Sequence, residues 1–153
     1  MAQRSAQPAG FDPRAVRVAV LAGGVGSERE VSLQSGANIA RAVREAGFQV
    51  RTSDISPDDL TILNAPDVDL FFLALHGRFG EDGQLQQILE DRTLPSTGSG
   101  AAASRAAFDK ALSKHAFREA AVPVAADISI DSPPDEPVLA EQLSAIGDRF
   151  VVK

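Results

Sequence analysis

Apolar runs punctuate the first half of the chain, and each gives way to glycine or to a polar loop. Val16 to Leu21 reads Val-Arg-Val-Ala-Val-Leu, rich in β-branched residues and closed by Gly23-Gly24, which predicts a first strand. Phe48 to Ser53 predicts a second. Val68 to Leu75, with its unbroken Leu70-Phe71-Phe72-Leu73-Ala74-Leu75, predicts a third, buried one. Between the first two, Gly36, Ile39, Ala40 and Val43 recur at i, i+3, i+4 and i+7, the spacing of an amphipathic helix. Ser27-x-x-Glu30 has the spacing of a capping box at its start, and Gly47 is placed to close it with a left-handed cap. Strand, helix, strand, then a strand emptying into a polar loop predicts an α/β fold: a mostly parallel sheet covered by helices in three layers.

The pattern then becomes helical. Gln84 to Asp91 predicts a short helix burying Leu85, Ile88 and Leu89, and Leu94-Pro95 leads into the turn-rich Thr97-Gly98-Ser99-Gly100. Ala101 to Ala107 and Phe108 to Ala120 follow as helices, the second with Phe108, Leu112 and Ala116 in register, and Pro123 blocks further extension. Beyond it the character changes. Val124 to Ile130 is a strand candidate, Asp131 to Asp135 a loop, and Pro137 to Ile146 a helix with proline near its first turn. Phe150-Val151-Val152-Lys153 begins another strand. The expected organisation is a leader without structure over 1–15, a first domain over 16–122, and the truncated start of a second over 123–153.

Composition narrows the function. A hydrophobic share of 44% and a charged share of 24% are those of a globular protein. A net charge of −6, from 15 basic and 21 acidic residues, argues against a nucleic-acid binder, although a local basic pocket for phosphate is still compatible. The chain has no cysteine, which excludes disulfides, thiolate metal sites and a cysteine nucleophile; with no Trp or Tyr it offers no base-stacking platform. No run approaches the roughly 20 apolar residues of a membrane span, and the first 15 residues lack the apolar stretch of a secretory signal. A cytoplasmic location without a membrane partner is the expectation.

The candidate chemistry sits in two strand-end loops, where open α/β sheets bind ligands. One is Gly23-Gly24-Val25-Gly26-Ser27-Glu28-Arg29-Glu30, the other His76-Gly77-Arg78-Phe79-Gly80-Glu81-Asp82-Gly83. A glycine loop opening into a helix aims N–H groups at an anion. Here the third glycine of a dinucleotide fingerprint is missing, and Glu28 and Glu30 would repel a pyrophosphate. Glu28 has two readings: complement to the helix dipole, or partner of a ligand ammonium through a charge-assisted hydrogen bond. His76 is either satisfied locally or placed beside a substrate. Glu81 and Asp82 are expected to cap the next helix, and with His76 they fit no familiar metal-ligand spacing, so no metal ligand is expected in this chain. Lys110 and Lys114 share a helix face; Lys114 is read as solvated, whereas Lys153, ending an apolar strand, suits a phosphate in a crevice.

Four blocks in order resemble the D-alanine–D-alanine ligase family of ATP-grasp enzymes. They are Val20-Leu21-Ala22-Gly23-Gly24 with Ser27 to Leu33 and Ser35-Gly36; Ala74-Leu75-His76-Gly77 with Gly80 to Gly83 and Leu85-Gln86; Thr97 to Gly100 with Ser104 and Asp109-Lys110; and Val151-Val152-Lys153. The resemblance implies a Rossmann-like domain followed by the opening of an ATP-grasp domain. It also implies roles: Glu28 holding the ammonium of a first D-alanine and helping to tie down an active-site loop, His76 beside that substrate, and Val31 and Ser32 lining the same subsite. Glu28 and His76 are thereby the implied catalytic pair, and Lys110 and Lys153 the contacts to ATP phosphates. In such enzymes ATP phosphorylates the first D-alanine's carboxylate, and the amine of the second attacks the acyl phosphate to form the dipeptide for peptidoglycan.

The family's Mg²⁺ ligands are expected beyond Lys153, so the 153 residues alone are expected to be inactive. Gln87 stands where the family has a small residue, and Ser96 where it has Tyr. A D-alanine–D-lactate or D-alanine–D-serine ligase remains an alternative, as does a non-catalytic amino-acid-binding module; D-alanine and ATP are the expected partners, and a homodimer is left open.

Overall fold

The computed structural model describes residues 10–130, 132, 134–147, 149 and 151–152. Three strands, β1 (Arg17–Gly23), β2 (Gln49–Ile55) and β3 (Leu70–Leu73), form one parallel sheet in the order β2-β1-β3. In β1 the residues alternate between two cores. Ala19 and Leu21 face one side, with Ile55, Leu63, Phe71, Leu75, Phe79, Leu85 and Leu89; Val18, Val20 and Ala22 face the other, with Ala40 and Ala74. A central strand covered on both faces must be apolar at every position, which is why its sequence is a continuous run. Helix α1 (Arg29–Glu45) covers the second side and helix α2 (Gln84–Asp91) the first, giving the three expected layers.

The cap at the end of α1 follows from local chemistry. Gly47 has φ +98°, its N–H bonds to the Arg44 carbonyl at 2.9 Å, and the Phe48 N–H reaches the Val43 carbonyl at 3.3 Å. This paired arrangement satisfies carbonyls that the helix leaves without partners, and it needs a residue that tolerates positive φ. On the outer edge of β3, the Phe71 N–H bonds to the Pro95 carbonyl and the Thr97 N–H to the Phe71 carbonyl, adding a parallel bridge at Ser96. The Thr97 hydroxyl adds to this pairing by accepting from the Leu73 N–H at 3.1 Å.

Connectivity divides the chain into residues 1–108 and residues 109–153. The first unit also contains helix α3 (Ala101–Phe108), whose Ala101 N–H bonds to the Glu90 carboxylate of α2 at 2.8 Å. The second contains α4 (Lys110–Glu119) and α5 (Glu136–Ile146). The boundary read from sequence near residue 122 falls within this second unit, just after α4.

Several expectations are corrected. The end of the expected leader is folded: Pro13–Ala15 form a 3₁₀ turn, Phe11 meets the Phe48 ring at 6.0 Å, and Gln49 donates to the Arg14 carbonyl. The remainder of that leader, residues 1–9, lies outside the described residues. Val124 to Ile130 is not a strand: the Ala125 carbonyl accepts from Lys114 Nζ, and the Asp127 carboxylate takes Lys114 and Arg118, which holds the segment along α4 and away from any ladder. Val151 and Val152 are exposed and in no strand, while Phe150 and Lys153 lie outside the described residues. Lys114 is accordingly an ion-paired residue and not a solvated one. Among the described residues no helix is long and apolar enough to cross a membrane.

Candidate functional site

In the order β2-β1-β3 the chain leaves β1 toward β2 on one side and later enters β3 on the other. The carboxyl ends of β1 and β3 therefore flank the point where the connections diverge, the place at which open sheets leave a crevice. Both candidate loops open there.

The first loop is fixed by Ser32 and Arg29. The Ser32 hydroxyl is fully buried; it accepts from the Gly23 N–H and donates to the Ala74 carbonyl, each at 2.9 Å. One side chain thus pins the first turn of α1 to the ends of both β1 and β3. The structure places Ser32 as this latch, with no surface left for a substrate. Arg29 grips the Asp54 carboxylate at the end of β2 with both terminal nitrogens and also donates to the Gly24 carbonyl at 3.2 Å. The hydrogen bond from Arg29 holds the Asp54 carboxyl below its ordinary range, so this clamp persists into mild acid.

Those anchors shift the start of the helix. Glu28, not Ser27, occupies the N-cap, and no side chain caps the N-terminus, so the expected capping box does not form. Glu30, in the first turn, is left as the acidic residue that complements the dipole. The Glu28 side chain reaches over to the second loop, where its carboxylate occupies the space that a Cβ on Gly77 would need. Gly77 also has φ +69°. Both the close approach and the conformation require glycine at that position.

The second loop is braced by its own carboxylates. Glu81 accepts from the Gly77 N–H at 2.8 Å and stands 3.6 Å from His76 Nδ1. It was expected to cap α2; instead it braces the turn that starts at His76, because the loop folds back so that the Glu81 N–H meets the Gly77 carbonyl. Asp82 does serve α2, accepting from the Gln84 N–H at 3.1 Å and from the Phe79 N–H at 3.0 Å. Burial pushes the Asp82 carboxyl up, and the donors from Phe79 and Gln84 outweigh it and bring it below the ordinary value. Phe79 itself has φ +70°, a sparse conformation for a bulky residue. Its ring is 1% exposed in the first core, and that burial offsets the backbone strain.

His76 joins the two loops. Its Nε2 lies 3.0 Å from the Ser35 hydroxyl of α1. Ser35 lies seven residues after Glu28, two helical turns on the same face, which is the sequence signal that could have singled it out. Arg29 carries no comparable signal, since its partner lies 25 residues away. The structure therefore brings Glu28, His76, Gly77 and Glu81 together, with Val31 exposed on the first turn of α1. Lys110 belongs to the second unit, at the start of α4 behind the Asp109 cap. Lys153 is outside the described residues. Among the described residues no group of three or more His, Asp or Glu is placed to hold a metal ion.

No family model matches the chain. A D-alanine–D-alanine ligase from Cereibacter sphaeroides is 48% identical over 120 residues, covering 78% of this chain but 38% of that protein. The crystal structure of a D-alanine–D-alanine ligase from Bacillus anthracis superimposes with a TM-score of 0.70 at 30% identity, over 83% of this chain and 42% of that one. A second structure from Bacillus anthracis, complexed with ATP, gives a TM-score of 0.65 at 27% identity, over 86% of this chain and 55% of that one. By sequence and by fold alike, the chain is a homologue of D-alanine–D-alanine ligases, and it spans 38% of the length of the Cereibacter sphaeroides relative and 42% of the first Bacillus anthracis structure.

Proposed function

We propose that the crevice between β1 and β3 is the subsite for a first D-alanine, within a protein that joins two D-alanines at the expense of ATP in the cytoplasm. One observation carries the reading: the Glu28 carboxylate is carried out of the helix cap and laid against Gly77, at the junction of both loops. A carboxylate that spans two loops at a strand-end crevice suits an ammonium group, which it binds through charge-assisted hydrogen bonds. His76 walls the same crevice, and Val31 supplies an exposed apolar surface one turn along α1 for a small side chain such as methyl. Ser32 acts in this scheme by holding the two strand ends together.

ATP enters the proposal through the ATP-bound relative and the family resemblance. Lys110 and Lys153 are the residues proposed to meet its phosphates. The chemistry then needs positioning and charge neutralisation more than covalent participation of the protein. With the ammonium held at Glu28, the D-alanine carboxylate is free to accept the phosphoryl group. Mg²⁺ prefers several oxygen ligands, carboxylates among them. The described residues do not provide such a set.

The test is phosphate release dependent on both ATP and D-alanine, by the full-length protein that carries this chain. Glu28→Gln should lower it at least roughly tenfold, equivalent to about 1.4 kcal/mol of transition-state stabilisation. Wild-type turnover in that variant would remove Glu28 from the site.

A further inference from the structure

His76 is held at both ring nitrogens by residues from different parts of the fold. On one side Glu81 Oε1 stands 3.6 Å from Nδ1, while the other oxygen of the same carboxylate is anchored by the Gly77 N–H at 2.8 Å. On the other side Nε2 meets the Ser35 hydroxyl at 3.0 Å, in a half-buried setting. A neutral imidazole has one N–H and one lone pair, and a carboxylate can only accept. At 3.6 Å the Glu81 contact is too long for a full hydrogen bond, yet it is close enough for charge to decide which nitrogen carries the proton. A lone pair at Nδ1 would face a negative oxygen, whereas an N–H there is attracted to it. The proton therefore belongs on Nδ1, and the Nε2 lone pair then needs a donor. The Ser35 O–H supplies it, because a hydroxyl rotates to suit its partner.

We propose that Ser35 is a positioning residue, which fixes His76 as its Nδ1–H tautomer and occupies Nε2 with its hydroxyl. His76 then meets a ligand as an oriented polar wall and not as a proton acceptor. The neighbouring serine cannot do this work, since the Ser32 hydroxyl is already committed to Gly23 and Ala74. The consequence for catalysis rests on the crevice being a D-alanine subsite; the state of the ring does not.

The experiment is long-range ¹H–¹⁵N correlation of the histidine rings in the 153-residue chain, at a pH well above the ordinary imidazole range. The chain has two histidines; His115, exposed on α4, is identified by its loss in His115→Gln. The expected spectrum of His76 has a protonated-type Nδ1 and an unprotonated-type Nε2. Ser35→Ala should shift both signals toward a mixture of tautomers, and Ser35→Thr, which keeps the hydroxyl, should restore them. A proton on Nε2 in the unsubstituted chain would overturn the proposal even if the alanine variant failed to fold. Unchanged ring signals in a folded Ser35→Ala chain would overturn it too. Neither readout uses D-alanine or ATP, so failure of the functional reading would be seen separately, as an absence of ligand effects with the ring signals as expected.

Discussion

Residues 1–108 and 109–153 are held together by different physics. Every fully buried apolar side chain among the described residues lies in the first unit, from Val18 to Ala101. In the second, neither α4 nor α5 buries a residue, and Leu112 and Phe117 are each 49% exposed. What order the second unit shows comes from polar contacts: Asp109 caps α4 by accepting from the Ala111 and Leu112 N–H groups, and Asp127 gathers Lys114 and Arg118. Apolar burial is the dominant favourable term in folding, whereas exposed ion pairs contribute little. The first unit thus carries its own stability and can hold a site rigid. The second has little apolar burial to stabilise it.

The sharpest way to break this contrast is a pair of matched truncations. Phe71→Ala, in the first core, should cost about 3–5 kcal/mol in denaturant unfolding. Leu112→Ala should stay within about 0.5 kcal/mol, as a surface change does. Equal losses would mean that the second unit has a core of its own.

Gly77→Ala asks the same question of the site. The new methyl would collide with the Glu28 carboxylate at a backbone conformation that disfavours it. A loss of more than about 1 kcal/mol is expected from the positive φ alone, together with loss of any D-alanine response at His76. Normal stability and normal ligand response would show that the two loops are not interlocked.

A smaller effect is expected at Asp127→Asn. Amide hydrogen exchange in residues 122–130 should quicken while that of β1 stays unchanged, because the pairing to Lys114 and Arg118 is local to the second unit. Exchange that quickened in β1 as much as in residues 122–130 would tie the units into one cooperative body.

The smallest concerns Asp69, whose carboxyl the Arg17 hydrogen bond lowers from 3.8 to about 2. A depressed carboxylate contributes stability above its unfolded value and loses that contribution as pH falls through the folded one. Asp69→Asn should therefore lower the thermal midpoint slightly at neutral pH. The difference from wild type should fade between about pH 4 and about pH 2. A constant difference over that range would separate the effect from the ion pair.

What could be read in the sequence was what depends on near neighbours or on periodicity. The β1 run, the bounds of α2 and the Gly47 cap all follow from burial pattern or from bonds closed within a turn. The capping box at Ser27 failed because distant partners won: Arg29 is drawn to Asp54, and Glu28 lies on Gly77. The Ser32 latch was hidden for the same reason, its partner Ala74 lying 42 residues away. The apolar Val124 to Ile130 misled because a strand needs a partner, and α4 takes that segment's polar groups instead. Both loops were legible from their glycine and polar content at the ends of apolar runs; which of their side chains meet one another took the fold.

The most direct test of the proposed subsite is a titration of the chain with D-alanine and, separately, with D-lactate, followed by backbone amide NMR. D-lactate has the same carboxylate and methyl but no ammonium. The expected result is that D-alanine moves the signals of Glu28, His76 and Gly77, that D-lactate leaves them in place, and that Glu28→Gln abolishes the response. Equal shifts with both ligands, or an undiminished response in Glu28→Gln, would contradict the assignment of Glu28 as the ammonium partner.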